Sequence, residues 1–235
     1  MGLGTHIADV SSPSTRKSKP HVHPARYLEP RGSASHSTRI ATDLAHQLHA
    51  ADPTADLVVR DLAANPLPHI DSDYASGIYT PAEARTDRQA RVVGISDAAV
   101  DELMAADTII LATGLINFAI SSTLKSWIDH VARAGRTFSY GKEGPKGLVT
   151  DKKVYIVLAS GGVYLEGPAV PLDHAIPYLR TALGFIGLND IEVIRVEGVG
   201  MGPEATDTAL KKATGRVNAL ALATRTADLG ATIAA

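Results

Sequence analysis

Three short segments of the sequence place hydroxyl, amide or glycine residues directly after a predicted strand. They comprise residues 31–37, 114–120 and 159–164. In a parallel sheet, ligands bind at the carboxyl ends of the strands, where such segments would lie. The residue types in these segments suit the binding and orientation of a small molecule.

Ser35 and Ser37 lie where the first segment passes into a predicted helix, whose apolar residues Ile40, Leu44 and Leu48 recur every four positions. The N-terminus of a helix is the positive end of its dipole, so the serine hydroxyls and the neighbouring amides could bind a phosphate there. The alternative is ordinary N-capping, which is the commoner role of a serine before a helix. The sequence leaves both interpretations open.

Five strands are predicted, and segments with helical periodicity alternate with them. The predicted strands comprise residues 21–28, 56–62, 107–112, 153–159 and 191–197. After the helix that contains Ile40, the predicted helices comprise residues 82–105, 119–134, 172–185 and 204–228. Strands that alternate with helices form a parallel sheet with right-handed crossovers and helices on both faces. The sequence therefore predicts an α/β fold with the three segments at one edge of the sheet.

Composition excludes several classes of function. The 235 residues include 23 Lys and Arg against 25 Asp and Glu, so no basic surface favours nucleic acid or an anionic membrane. The absence of cysteine excludes disulfides, thiolate catalysis and iron–sulfur clusters, and it favours a cytoplasmic location. Residues 1–20 are predicted to be a polar extension without a membrane span, and residues 21–235 a single domain. His21 and His23 have no carboxylate at ligand spacing, so no metal site is predicted.

The three segments and several further motifs, all in the same order, resemble the family of FMN-dependent NADH-azoreductases and quinone reductases. The further motifs are RDLAANP at 60–66, Leu124-Lys125 with Asp129, VARAG at 131–135, TFSY at 137–140, Gly144-Pro145, GLV at 147–149 and LGFIG at 183–187. The resemblance implies a flavodoxin-like three-layer sandwich with a five-stranded parallel sheet in the order 2-1-3-4-5. It also implies a homodimer that uses FMN and passes hydride from NADH or NADPH to a quinone, azo or related aromatic acceptor by a ping-pong mechanism.

The resemblance implies cofactor contacts in all three segments. Asn117 would hydrogen-bond one edge of the flavin ring, and Phe118 would pack on the ring or close the core. Gly161 and Gly162 would let backbone amides approach the pyrimidine edge of the ring without a Cβ clash, although a Gly-Gly pair most often marks a turn. The implied cofactor-binding residues are Ser35, Ser37, Leu115, Ile116, Asn117, Phe118, Ser160, Gly161, Gly162 and Tyr164.

Tyr140 and Phe185 match family positions that line the acceptor pocket. Their flat apolar side chains would suit stacking on a quinone or an azo compound. They could equally be aromatic residues of the core or of a dimer interface. No other catalytic side chain is predicted, because a flavin carries the hydride itself and the protein mainly supplies position and electrostatics.

Three differences from the family fall within the implied cofactor loops. Residues 21–28 contain Pro24 and Arg26, which are unfavourable in a central strand. Glu29 stands where the family has a small hydroxyl residue, and its carboxylate would repel a nearby phosphate. The segment 114–118 reads GLINF, where the family pattern is PMYNF.

These differences motivate two further hypotheses. One is that the protein keeps the fold but binds FMN weakly or not at all, and catalyses a specialised biosynthetic reaction that need not be redox. The other is a non-enzymatic electron carrier or regulatory flavoprotein. The long connections at 63–82 and 136–151, which would cover a substrate, argue against a small carrier.

Overall fold

The computed structural model describes residues 22–23, 35–53 and 55–233, with side chains for 35–53 and 55–224. The helices are α1 (His36–Ala51), α2 (Ser72–Gly77), α3 (Asp87–Ala105), α4 (Ser122–Val131), α5 (Ala175–Ile186) and α6 (Pro203–Ile233). The strands are β1 (Val22–His23), β2 (Thr108–Gly114), β3 (Phe138–Gly141), β4 (Gly144–Gly147), β5 (Lys153–Ser160) and β6 (Asp190–Glu197). Short 3-10 helices lie at Ala82–Ala84 and Val170–Leu172.

Four of the described strands form one parallel sheet in the order β1-β2-β5-β6. The two central strands, β2 and β5, are paired from Thr108 beside Lys153 to Gly114 beside Ala159. Because all the pairings are parallel, the connections that leave these strands begin at the same edge of the sheet. This edge is where the sequence predicts the ligand.

The two faces of the sheet carry separate apolar cores, because side chains alternate along each strand. Ile109 and Leu111 contribute to the core with α3, α4 and α5, whereas Ile110 and Ala112 contribute to the core with α1 and α6. The buried side chains of α1 include Ile40, Leu44 and Leu48. The prediction of a parallel sheet with helices on both faces is therefore confirmed.

The predicted strand at 56–62 is not formed among the described residues, since residues 56–61 have no regular secondary structure. A strand exists only through pairing, and its expected neighbour, the predicted strand at 21–28, is described only at Val22–His23. The predicted order 2-1-3-4-5 is therefore incomplete among the described residues, because its strand 2 is not formed. Several other predictions lie outside the described residues: the extension at 1–20, His21, Pro24, Arg26 and Glu29.

The two long connections contain secondary structure of their own. In the first, the Asp71 carboxylate accepts a 2.8 Å hydrogen bond from the amide of Tyr74 and begins α2. The buried Tyr74 hydroxyl donates to Ser96 of α3 at 3.2 Å, which fastens this connection to the body of the fold. The second connection forms the antiparallel hairpin of β3 and β4. Both connections are thus ordered parts of the fold.

The described residues contain neither a metal-binding cluster nor a membrane-spanning helix. No group of three or more His, Cys, Asp or Glu side chains there is arranged to hold a metal ion. None of the helices in that part of the chain combines the length and the apolar character that crossing a membrane requires.

Candidate functional site

The first turn of α1, residues 35–38 (the α1 turn), contains a pair of buried hydroxyl groups. Ser35 is the N-cap residue of the helix, but its side chain makes no capping hydrogen bond. Instead its Oγ shares a 2.9 Å hydrogen bond with Oγ of Ser37, and the two residues are only 2% and 0% exposed. Side-chain N-capping, one of the two interpretations of Ser35, is therefore wrong for this residue.

Thr38 adds an unsatisfied hydroxyl to the α1 turn. Its Oγ1 is buried and has no hydrogen-bond partner in the described part of the chain. Buried polar groups are nearly always paired, so an unpaired one calls for an explanation such as an absent ligand. The first turn of α1 also contains no acidic residue. The positive end of the helix dipole is thus uncompensated by a carboxylate on its own first turn, which suits an anion.

The loop after β2, residues 115–119 (the β2 loop), is a tight turn in the left-handed conformation. Ile116 and Ala119 exchange backbone hydrogen bonds of 2.8 and 3.0 Å. Between them, Asn117 has φ 46° and Phe118 has φ 69°. Positive φ at both central residues is typical of type I′ turns, which favour glycine at the second position. A phenylalanine there stores about 1–3 kcal/mol of backbone strain, and such strain is found preferentially at functional sites.

The loop after β5, residues 160–165 (the β5 loop), is fixed by its backbone carbonyls. Those of Gly161 and Gly162 accept hydrogen bonds of 3.0 and 3.1 Å from the amides of Gly200 and Gly198. A Cβ added to Gly161 would meet nothing of the chain closer than 4.0 Å, and its φ is not positive. Neither packing nor backbone conformation therefore requires glycine at position 161. The space beside it is open to a ligand.

The β2 loop and the β5 loop begin side by side. The amide of Leu115 donates a 2.8 Å hydrogen bond to the carbonyl of Ala159 at the end of β5. The carbonyl of Phe118 accepts a 3.0 Å bond from the amide of His174, just before α5. The α1 turn begins at the same edge, because a helix that follows a strand of a parallel sheet runs back along it. The second and third predicted segments and the described part of the first, residues 35–37, thus lie at one edge of the sheet, whereas residues 31–34 lie outside the described residues.

Three charged residues that the sequence analysis did not identify lie behind these loops. The Glu197 carboxylate accepts hydrogen bonds from the amides of Tyr164 and Leu165 at 3.3 and 3.2 Å. The Arg195 guanidinium forms ion pairs with Glu197 at 2.8 Å and with Asp173 at 2.6 Å. The signal in the sequence was an arginine and a glutamate two positions apart at the end of a predicted strand, where both side chains share one face.

Tyr140 and Phe185 both contact the ring of Phe138. The Phe138 ring centroid is 5.5 Å from that of Tyr140 and 4.6 Å from that of Phe185. Tyr140 is 73% exposed. Phe185 is near the end of α5, about 16 Å along the helix axis from His174, which contacts the β2 loop. This aromatic cluster and the β2 loop of the same chain are therefore at opposite ends of α5.

Comparison with known proteins finds similarity over most of the chain. The sequence model of the family described as "Flavodoxin-like fold" matches residues 27–221, which include all three loops. An FMN-dependent NADH:quinone oxidoreductase of Mesorhizobium japonicum is 72% identical over 191 residues, which cover 81% of this chain and 91% of that protein. A protein of the same name from Rhizobium johnstonii is 58% identical over 187 residues, which cover 80% and 92%.

A solved structure agrees with these matches. The crystal structure of an azoreductase from Bacillus anthracis str. Sterne superposes with a TM-score of 0.80 at 27% sequence identity. The superposition covers 86% of this chain and 98% of that protein. The chain therefore belongs to the flavodoxin-like fold family and, within it, to the family of FMN-dependent NADH:quinone oxidoreductases.

Proposed function

We propose that this protein is an FMN-dependent NADH:quinone oxidoreductase. One observation carries the proposal: the left-handed turn of Asn117 and Phe118 and the open side of Gly161 in the β5 loop both lie at the carboxyl ends of the two central strands. In doubly wound sheets, this edge is where ligands bind. The chain that presents this edge is 72% identical to an enzyme of that name.

The residues at this edge suit the two ends of FMN. For the phosphate, the α1 turn offers the buried hydroxyls of Ser35, Ser37 and Thr38 together with the amides of a helix N-terminus. For the ring, Asn117 offers an exposed amide side chain with donors and an acceptor, and the open side of Gly161 admits a flat group. The other predicted contacts are Leu115, Ile116, Phe118, Ser160, Gly162 and Tyr164.

Bound FMN supplies the chemistry of the reaction, since it accepts hydride from the nicotinamide and gives it to the acceptor. The contribution of the chain is to bind and orient. Amides of Gly161 and Gly162 would donate hydrogen bonds that stabilise the negative charge gathered on the pyrimidine edge during reduction. The exposed ring of Phe118 would cover part of the site and exclude water from it.

We further infer that the enzyme is a homodimer in which the partner completes the acceptor pocket. Tyr140 and Phe185 lie about 16 Å along α5 from the β2 loop of their own chain, too far to enclose the same small ligand with it. Both side chains are nevertheless exposed, and large exposed aromatic groups are typical of interfaces and binding sites. A two-fold axis could bring them over the β2 loop of the partner, where their flat faces would stack on a quinone or an azo compound.

Three finer features are part of the proposal. The reaction is ping-pong, because one flavin face would serve NADH and the acceptor in turn. The enzyme is cytoplasmic, which agrees with a sequence without cysteine. The fifth, edge strand is proposed to form when residues 56–62, which have no regular secondary structure in this structure, pair with β1. In support of that strand, Leu57 packs against the core with α1, and Leu62 is buried in the opposite core, as alternation along a strand requires.

Flavin binding and turnover test the proposal. We expect the purified chain to show the visible absorption of bound flavin, or to quench the fluorescence of added FMN, and then to consume NADH in the presence of 1,4-benzoquinone. Parallel double-reciprocal plots would support the ping-pong order, and sedimentation would support the dimer. A chain that binds no FMN would overturn the proposal in favour of a non-redox function, and an FMN-bound chain that no nicotinamide reduces would favour a carrier.

A further inference from the structure

Strand β6 carries a charged pair in a row of side chains that faces α5. Ile191, Val193, Arg195 and Glu197 alternate along the strand and share one face, and the first two pack against the core beneath α5. Arg195 is held between two carboxylates, that of Glu197 and that of Asp173 at the start of α5. The three side chains are 16%, 11% and 6% exposed, so this ion triad is largely withdrawn from water.

The stability of the fold does not explain why these three charged side chains are buried together. Desolvation of buried charges offsets most of their attraction, so apolar residues of similar size often stabilise a fold as well as a buried ion pair does. A guanidinium, however, has a planar set of donors that can hold two carboxylates in fixed directions. Arg195 uses its two terminal nitrogens in this way, one for Asp173 and one for Glu197. Arg195 therefore fixes the positions of the two carboxylates relative to each other.

Glu197 connects Arg195 to the β5 loop by hydrogen bonds. Its two carboxylate oxygens accept hydrogen bonds from the amides of Tyr164 and Leu165, one oxygen for each amide. These amides come shortly after the two glycines that we propose lie against the flavin, with only Val163 between them. The same glycines are hydrogen-bonded through their carbonyls to the loop that follows Glu197. The position of the Glu197 carboxylate therefore fixes the end of the β5 loop.

Asp173 connects Arg195 to the β2 loop through the start of α5. One of its carboxylate oxygens accepts hydrogen bonds from the amides of Ala175 and Ile176 at 2.9 and 3.0 Å, which begins α5. The other oxygen pairs with Arg195. Between the aspartate and these amides, the amide of His174 donates to the carbonyl of Phe118 in the strained turn. The start of α5 and the strained turn are thus held together.

We propose that Arg195 is a positioning residue of the flavin site. Through Glu197 it fixes the β5 loop, and through Asp173 it fixes the β2 loop, so that the two loops keep one arrangement relative to each other. The consequence for flavin binding rests on the proposed function. The mechanical part, that Arg195 orders both loops, concerns only contacts within the chain and is testable without FMN.

Amide hydrogen exchange on the full chain without FMN tests the mechanical part. In Arg195→Met we expect exchange about tenfold faster or more at Tyr164, Leu165 and the first amides of α5, because local opening costs less once the ion triad is broken. The matched control is Arg216→Met, which removes an ion pair with Glu192 on the other face of the same strand. Exchange in these segments that is the same in Arg195→Met as in the wild type overturns the proposal.

FMN binding tests the functional part. We expect Arg195→Met to raise the dissociation constant of FMN about tenfold or more and to change the visible circular dichroism of the bound flavin, while Arg216→Met changes neither. The FMN dissociation constant of Arg195→Lys should lie between those of the wild type and Arg195→Met, because an ammonium group offers a point charge in place of a planar pair of donors. If Arg195→Met does not fold, Arg195→Lys is used for the test instead. Faster exchange with FMN affinity within twofold of the wild type would overturn the functional part. If the wild type itself binds no FMN, the proposed function fails, and the exchange experiment still decides whether Arg195 orders the loops.

Discussion

The side-chain oxygens of Ser35 and Ser37 lie 2.9 Å apart and share one hydrogen bond in the first turn of α1. Both residues are buried, so the two hydroxyls are held in place where the helix begins. A phosphate at this position could accept hydrogen bonds from hydroxyls and helix amides together. The pair is therefore held in a fixed position that suits the phosphate site we propose, where the sequence alone left capping as an alternative.

Replacing Ser37 by alanine should weaken FMN binding. A hydrogen bond to a charged group contributes about 1.5–3 kcal/mol, so the dissociation constant should rise about 10- to 150-fold. Ser35→Ala should act in the same direction, and fluorescence titration measures both. As a control, Thr208→Ala removes an exposed hydroxyl bonded to the carbonyl of Glu204 in the first part of α6, and should leave FMN affinity unchanged. Wild-type affinity in both serine variants would contradict a phosphate site at the α1 turn.

Replacing Gly161 by alanine should weaken FMN binding without weakening the fold. A methyl group there meets no atom of the chain closer than 4.0 Å, so we expect an unfolding free energy within about 0.5 kcal/mol of the wild type. The same methyl group would project into the space that we assign to the flavin, and we expect about tenfold weaker binding or more. Gly94→Ala, in α3 and with open space around the added methyl group, is the matched control. Equal affinity in the two variants would place the flavin elsewhere.

The parts of the fold that depend on local apolar pattern were predictable from the sequence. Strands β2 and β5 lie within two residues of the predicted 107–112 and 153–159, because strands buried on both faces read as continuous apolar runs. The predicted strand at 56–62 depends on pairing with a distant segment, and local pattern does not report pairing. Helix α2, with six residues, is too short for a helical period to be visible.

The parts of the site that depend on backbone conformation or long-range contact could not be predicted. Ser35, Ser37 and the two glycines could be proposed from the sequence, because their residue types carry the signal. The left-handed conformation of Phe118 has no such signal, since a tight turn of this type is expected to contain glycine. The ion triad of Arg195 joins residues 22 positions apart in the sequence, and only the packing of α5 on β6 brings them together.

Replacing Gly147 by alanine should destabilise the fold severely. A Cβ at this position would overlap backbone atoms of Gly187, which cannot move aside as a flexible side chain can. We expect the free energy of unfolding to fall by about 3 kcal/mol or more, or the chain not to fold, because the backbone cannot shift far enough to relieve the overlap without breaking other contacts. Gly141→Ala, in the same hairpin with its nearest contact at 3.9 Å, is the control. Urea denaturation measures both variants, and wild-type stability of Gly147→Ala would refute this packing.

His130 should make the stability of the protein depend on pH. The residue is 1% exposed, its Nδ1 lies 2.9 Å from the carbonyl oxygen of Ser126, and its ring centroid is 4.9 Å from that of Tyr74. Burial lowers the pKa of His130 below its ordinary value. The unfolded chain, in which the pKa is about 6.5, therefore binds a proton more readily than the folded chain does. Its neutral form is the one that the fold accommodates.

The sign of the effect follows from this difference. The contribution of His130 is fully present above about pH 6.5 and is lost as the pH falls towards the lower pKa of the folded state, by up to about 1.4 kcal/mol for each pH unit. Urea midpoints at about pH 7.5 and about pH 5.5 should differ less in His130→Gln than in the wild type. His69→Gln, at an exposed histidine, should keep the wild-type difference. The same pH dependence in all three proteins would rule out His130 as its source.

Replacing Phe118 by glycine should lower the activity while leaving the stability of the fold nearly unchanged. Glycine adopts a φ near 69° without the Cβ penalty, so relief of strain should offset the loss of the packing that a side chain 45% exposed provides. We expect the unfolding free energy to fall by no more than about 1 kcal/mol, or to rise. Activity should behave differently, because the variant lacks the aromatic ring that we propose covers the site, and kcat/KM with NADH and benzoquinone should fall about tenfold or more.

Asp151 supplies the control for this experiment. It too is a residue other than glycine with positive φ, 61°, but it lies just before β5, at the opposite edge of the sheet from the β2 loop. Asp151→Gly should relieve comparable strain and leave kcat/KM unchanged. If both variants keep full activity, the strain at Phe118 has no functional role. If only Phe118→Gly loses activity while its stability is retained, the strained turn is kept because the site requires it.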